Sequence, residues 1–429
     1  MRALIVTQGS TGDVYPLIAL SQELIAQGHE AVLATADYFR EDIEAAGVTF
    51  LQLPPDWSQE EFAESMRVLN RTSDLLKQLC LIYEQALPYL VENTRRVEKA
   101  AQEADVIISS YLFPYLEQIA ERAAIPYMVT MFCHNVIPSQ DYGPSNLPQL
   151  PWLPQPLRSL WYRFSWWVAD RVISAALNRT VSEQLKACGL APIRHFCTQN
   201  AALVLVTVSP VFKKEHARID PKYVFTGYLR HQPRRDPELE ARLKAFCAGE
   251  KVPVITFGSV VSDQSPAQME QFLGAWPQDQ KLIVQTGWAG FSVPEDAAHL
   301  LGLGKANHDS LFRHASVVVH HGGAGTTASV MHAGVPHIVI PHIADQPFWA
   351  GEVSRLGLGL TLEADTWPTA LTNTIDQIIA RPEYRTRAEA IAAQLSQESG
   401  RKLAVEFILS YVLDQKQGPA EPHTAGPIT

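Results

Sequence analysis

The chain has 429 residues, 46% of them apolar and 19% charged, and a formal charge of −10. Such a length exceeds one ordinary core and calls for two domains of roughly 200 residues each. Its composition excludes a disordered chain, and its acidic balance speaks against nucleic acid as a partner.

The opening residues, MRALIVTQGS, read as a buried first strand over 2–7. The apolar run is too short for a signal peptide and leads straight into the turn GSTGD. Residues 14–27 predict a helix stopped by Gly28. Short apolar strands follow at 31–34, 48–53, 106–109, 127–131 and 203–208. Strands at 252–257, 281–285, 299–303, 317–320 and 337–340 repeat the pattern in the second half. Strands without polar alternation, separated by helices, predict buried parallel sheets, here two doubly wound α/β domains. The domains are expected at 1–228 and 251–414, joined by a polar, proline-bearing linker at 229–250. A Pro/Gly-rich tail over 415–429 is expected to be disordered. No run of about 18 apolar residues offers a spanning helix. The five scattered cysteines, Cys80, Cys133, Cys188, Cys197 and Cys247, lack metal spacing and fit a reduced, cytoplasmic setting.

Chemistry concentrates at three places. The first is HHGGAGTT, residues 320–327, where a strand hands over to a helix. Gly322, Gly323 and Gly325 let backbone approach a ligand closely. The N–H groups of Gly325, Thr326 and Thr327 are candidate orphan donors at a helix N-terminus, an anion site to which His321 adds a side-chain donor. A plain strand-to-helix turn plugged by histidines is the alternative. Further on, Asp345-Gln346 follows another strand and suits vicinal sugar hydroxyls, or else a helix cap.

The second place is GSTGDVYPLIAL, residues 9–20. Asp13 stands at the helix start, as an N-terminal cap or as a general base facing the cleft. The third is 151–180, where Leu157, Leu160, Trp161, Phe164, Trp167, Val168 and Val172 fall on one helical stripe. Arg158, Arg163, Arg171 and Arg179 accompany them against Asp170 alone. A core helix, a lid over an apolar acceptor, and a membrane-resting face are all open readings.

The block HHGGAGTTASVMHAGVPHIVIPHIADQPFWAGEV, residues 320–353, resembles the nucleotide-sugar signature of family 1 glycosyltransferases of the two-domain GT-B fold. It is most similar to the sterol 3-β-glucosyltransferase branch and also resembles the rhamnolipid and glycopeptide-antibiotic transferases. The resemblance implies that His321, Gly323, Gly325, Thr326 and Thr327 hold the donor diphosphate, with Ser259 of FGSVV closing over it. It implies that Asp345 and Gln346 hold the transferred sugar, and that Trp288, Asn307 and His308 line the nucleoside end. Asp13 would be the catalytic base of an inverting transfer that needs neither metal nor cofactor. Many relatives carry a ribose-binding glutamate where this chain has Ser329, so both UDP-glucose and a dTDP-sugar stay open as donor. The expected acceptor is a hydroxyl of a hydrophobic small molecule or lipid, with His134, Trp161 and Trp167 as acceptor-side candidates and the enzyme cytoplasmic or peripheral at a membrane. An epimerase or a non-catalytic nucleotide-sugar-binding subunit are the alternatives. A dinucleotide dehydrogenase fits less well, because GSTGD is one glycine short of G-x-G-x-x-G.

Overall fold

The computed structural model describes residues 1–144, 147–212, 218–231, 236–258, 264–287, 291–294, 296–304 and 306–417. Ser259 and Trp288 lie outside the described residues, as does the tail beyond 417.

Thirteen strands form two sheets among these residues. The first holds β1 (Arg2–Val6), β2 (Glu30–Thr35), β3 (Thr49–Gln52), β4 (Val106–Ser110), β5 (Tyr127–Met131), β6 (Leu203–Val206) and β7 (Tyr223–Phe225), in the order β3-β2-β1-β4-β5-β6-β7. The second holds β8 (Val252–Thr256), β9 (Leu282–Gln285), β10 (Leu300–Leu303), β11 (Ala315–His320), β12 (His337–Val339) and β13 (Gly359–Thr361), in the order β10-β9-β8-β11-β12-β13. Every named pairing is parallel. Helices cover both faces, so β4, β5 and β6 are buried at every position, which is why they read as continuous apolar runs.

In each sheet the order reverses beside the first strand, between β1 and β4 and between β8 and β11. Ligands of open α/β sheets bind at such switch points, beyond the carboxyl ends of the strands. Asp13 follows β1 and HHGGAGTT follows β11. Topology therefore puts the two candidate loops at equivalent places in their own sheets.

The 229–250 stretch is partly ordered into each domain. Leu229 joins the first core, while Leu239, Leu243 and Cys247 of the helix Pro237–Cys247 pack with Val252 and Val254 of β8. The last helix, Gly400–Gln417, belongs by sequence order to the second half. It nevertheless buries Ala404, Val405, Ile408 and Val412 in the core built around β1 and the first helix, Thr11–Ala26. The chain thus straps its two halves together.

The long helix Gln155–Ala187 covers the aromatic segment, and its core-facing residues are not the predicted stripe. Tyr162, Ser165, Trp166, Asp170, Ser174, Leu177, Val181 and Leu185 are buried. Leu157, Leu160, Phe164, Trp167 and Val172 face outward, each at least half exposed. The core reading of that stripe is therefore incorrect. Inward, Asp170 supports a loop instead, its Oδ1 accepting the N–H groups of Phe196 and Cys197 at 2.9 and 2.7 Å. No described helix is long and apolar enough to cross a membrane.

Candidate active site

The cradle helix Ala324–His332 starts at Gly323, its N-cap. The N–H of Thr327 closes the first turn onto the carbonyl of Gly323 at 2.9 Å, so it is not an orphan donor. The free donors sit one residue earlier than expected, on Ala324, Gly325 and Thr326, none of which has an acceptor among the described residues. The side-chain Oγ1 of Thr327 is buried without a described partner.

Beneath the loop lies a histidine relay. The N–H of Gly322 donates to His320 Nδ1 at 3.1 Å, which leaves the ring proton of His320 on Nε2, 2.9 Å from His337 Nδ1. Burial holds both rings neutral, pushing His337 down to about 3. Gly322 has φ +88°, and a Cβ there would stand 2.8 Å from Val339, so the turn requires glycine.

His321 is packed between two further glycines. A Cβ on Gly323 would lie 2.3 Å from its Nε2, and one on Gly258 would lie 3.1 Å from its Cε1. Burial, then the neighbouring His342 and His308, pushes its pKa down to about 3. The side-chain donor expected at His321 is therefore a neutral imidazole, not a cation, in the free protein. It still has a hydrogen-bonding atom to spare, because Nδ1 is buried without a described partner.

Across the cleft, Asp13 caps its own helix. Its Oδ2 accepts both the N–H and the hydroxyl of Ser10, at 2.8 and 3.1 Å, completing a capping box. Capping uses Oδ2 only, and no described group bonds Oδ1. Burial raises the carboxyl above its ordinary value, and the two Ser10 donors partly offset this. The loops meet: a Cβ on Gly325 would be 3.7 Å from Gly12 Cα.

Asp345 precedes the helix Gln346–Arg355, and its Oδ2 accepts from Trp349 Nε1 at 2.8 Å. Burial pushes it up to about 6, against the Trp349 hydrogen bond, and the charge of Asp13 adds to the rise. Two carboxylates therefore feel each other across the cleft. Gln346 spends its Oε1 on the N–H groups of His342 and Ile343, at 2.7 and 3.0 Å, so only its amide NH2 remains for a ligand. The loop between them strains at Ala344, φ +53°, whose N–H reaches Gln78 of the other domain at 3.2 Å.

The structure places His134 in an aromatic nest of Phe212, Phe225, Phe348 and Trp349, with centroids 4.8–6.1 Å away. That nest backs the Asp345 helix. Asn307 caps the helix His308–Phe312, its Oδ1 accepting from Asp309 at 2.8 Å, and His308 stacks on Phe312 at 4.6 Å. Trp161 donates to the carbonyl of Pro148, and the half-exposed Trp167 stacks on Phe164; neither has a contact with Asp13 or Asp345 among the described residues. Ser329 returns its hydroxyl to the carbonyl of Gly325 at 3.0 Å. Sequence reasoning missed Tyr111, just after β4. It lies close enough to Asp345 and Asp13 that both charges, after burial, hold its hydroxyl protonated. A lone tyrosine after an apolar run carries no signal of that placement.

Two Rossmann-type sheets, with free N–H groups at a helix N-terminus on one and a buried acid after the first strand of the other, have the layout of a GT-B glycosyltransferase. Residues 3–137 match the glycosyltransferase family 28 N-terminal domain, and 307–406 match the erythromycin biosynthesis protein CIII-like C-terminal domain. Glycosyltransferase GtfE of Amycolatopsis orientalis is 31% identical, over 98% of this chain and 100% of its own length. A sterol 3-beta-glucosyltransferase of Arabidopsis thaliana is 27% identical over 95% of this chain and 67% of its own. The chain shares its fold with the glycotransferase of kitacinnamycin, at TM-score 0.67 and 19% identity over 95% and 98% of the two chains. The same holds for glycosyltransferase VinC in complex with dTDP, at 0.63 and 17% over 96% and 100%. The chain belongs to the family 1 glycosyltransferases of GT-B fold.

Proposed function

We propose that the enzyme transfers a hexose, with inversion and without a metal, from a nucleoside diphosphate sugar to a hydroxyl of a hydrophobic small molecule or lipid. The observation that carries this reading is the meeting of the Gly12–Asp13 turn with the Gly325 turn. In this reading a base and a diphosphate cradle face each other where the two turns meet. The acceptor oxygen gives its proton to Asp13 Oδ1 while its electron pair forms the bond to the anomeric carbon. The bond from that carbon to the diphosphate breaks, and the leaving charge falls on the N–H groups of Ala324, Gly325 and Thr326, with His321 as neutral donor. Asp345 and the NH2 of Gln346 hold sugar hydroxyls. Asn307 and His308, with Trp288, line the nucleoside end; Ser259 closes over the phosphates. A raised pKa makes Asp13 a better base than an ordinary aspartate. In this reading the helix N-terminus supplies the electrostatic stabilisation that a metal would otherwise give.

UDP-glucose is the favoured donor, in line with the sterol glucosyltransferase relative. A dTDP-sugar is the second reading, supported by Ser329 in place of a ribose-binding acid and by the dTDP complex of VinC. The test is incubation in EDTA with UDP-glucose or dTDP-glucose and a panel of hydroxylated aglycones, with the product anomer read by NMR. A β-glycoside from the α-linked donor supports the reading. An α-glycoside, or activity only after metal is restored, contradicts it.

A further inference from the structure

Eleven large apolar side chains are exposed among the described residues, and six of them fall between Trp152 and Val172. The others, Ile25, Tyr38, Leu75, Ile379 and Leu413, are far apart in sequence and belong to different elements, which is ordinary for a surface. Leu157, Leu160, Phe164 and Trp167 are 53–59% exposed and spaced three or four residues apart, so they form one stripe along the helix Gln155–Ala187. Trp152, 75% exposed, stands on the approach to it. Trp161 and Phe164 lie 6.2 Å apart, Phe164 stacks on Trp167 at 6.0 Å, and the Arg171 guanidinium sits 6.0 Å from the Trp167 ring. The stripe is thus an organised aromatic ladder, while the opposite face of the same helix already fills the core.

Positive charge accompanies the stripe on the same segment. Residues 152–180 contain Arg158, Arg163, Arg171 and Arg179, and their sole acid is Asp170. Asp170 is buried, bonded to His195 and to the loop at Phe196, so it does not neutralise the outside. Arg218 and Asp141 pair beside Ser159, where Asp141 also feels the charge of Arg158. A molecule of net charge −10 therefore presents, along its largest cluster of exposed apolar groups, four arginines, of which only Arg158 has an acid, Asp141, beside it among the described residues.

We propose that this face docks on an anionic lipid bilayer. Leu157, Leu160, Phe164 and Trp167 enter the boundary between headgroups and acyl chains, and the arginines lie level with the lipid phosphates. Long arginine stems and indole rings suit that boundary, apolar along the body and polar at the tip. A second copy of this chain is a poorer occupant. A two-fold contact through the face would set the same four arginines against their own equivalents. Docking leaves the donor cradle untouched and stands apart from the identity of donor or acceptor.

The full chain is floated with vesicles of phosphatidylcholine alone, and with vesicles of phosphatidylcholine and phosphatidylglycerol, at low and high salt. The expected result is binding to the phosphatidylglycerol vesicles that weakens with salt and is far weaker on phosphatidylcholine. Exchanging Arg163→Gln together with Arg171→Gln lowers it by about fivefold per arginine. Leu160→Gln with Phe164→Gln and Trp167→Gln abolishes it. These side chains are exposed, so both variants keep the wild-type Tm, measured alongside. Failure of the wild type to bind phosphatidylglycerol vesicles overturns the proposal, as does undiminished binding by the apolar triple variant. A wild-type dimer in sedimentation that the triple variant loses, without vesicle binding, assigns the face to a second copy instead and equally overturns it.

Discussion

Gly12 and Gly325 belong to different domains, yet a Cβ on Gly325 would stop 3.7 Å from Gly12 Cα. That distance is ordinary contact, so alanine fits at 325 without distorting the backbone. Its methyl would, however, occupy the space between base and cradle where the leaving diphosphate must pass. Gly325→Ala is expected to keep or slightly raise Tm, since alanine outranks glycine in a helix by up to ~1 kcal/mol. Affinity for the nucleoside diphosphate should fall by about tenfold, measured by calorimetry.

Asp13 carries two jobs on two oxygens. Asp13→Asn preserves an oxygen for the Ser10 bonds and removes the base, so Tm and donor affinity should hold while kcat drops by about 10²–10⁴. Ser10→Ala tests the other oxygen. Loss of the cap should cost about 1 kcal/mol. With one donor to Oδ2 gone, the Asp13 carboxyl should rise further, moving the acidic limb of the kcat/KM profile to higher pH.

Asp345 gives a stability signature of its own. Its folded value of about 6 lies above the ordinary 3.8, so the native state holds a proton that the unfolded chain has already released. The contribution to stability therefore falls as pH rises from below 4 through about 6. Asp345→Asn should stabilise the free protein at pH 7 by roughly 2 kcal/mol, allowing for its partly open face, and should be neutral at pH 4. Turnover should be lost in that variant, while affinity for the bare nucleotide is kept.

The sheets were legible because strands buried on both faces are apolar without interruption, as in Val106–Ser110 and Tyr127–Met131. β7 and β13 escaped because three-residue edge strands leave no pattern to count. The site loops were legible in residue type but not in register. Whether Thr327 or Ala324 offers a free N–H depends on where the helix begins, and only the Gly323 cap decides that. The neutral state of His321 needed its surroundings too, since burial by residues from three segments sets it. The stripe on Gln155–Ala187 misled because that helix turns Ser165, Ser174 and Asp170 inward, Asp170 serving the distant backbone at Phe196, and leaves Leu157, Leu160, Phe164 and Trp167 outside.

The measurement that bears most directly on the central claim is calorimetric titration of UDP-glucose and dTDP-glucose in EDTA, with wild type and His321→Ala. Binding by the wild type is expected, weakened in the variant by ~1.5–3 kcal/mol, the range for a hydrogen bond to a charged group. Because His321 is held neutral down to about pH 3, the difference in affinity between wild type and variant should be the same at about pH 6 and about pH 8, where a cationic clamp with an ordinary histidine pKa would titrate. Equal affinity of the variant, or no binding by either protein, would contradict a diphosphate cradle at the start of the helix Ala324–His332.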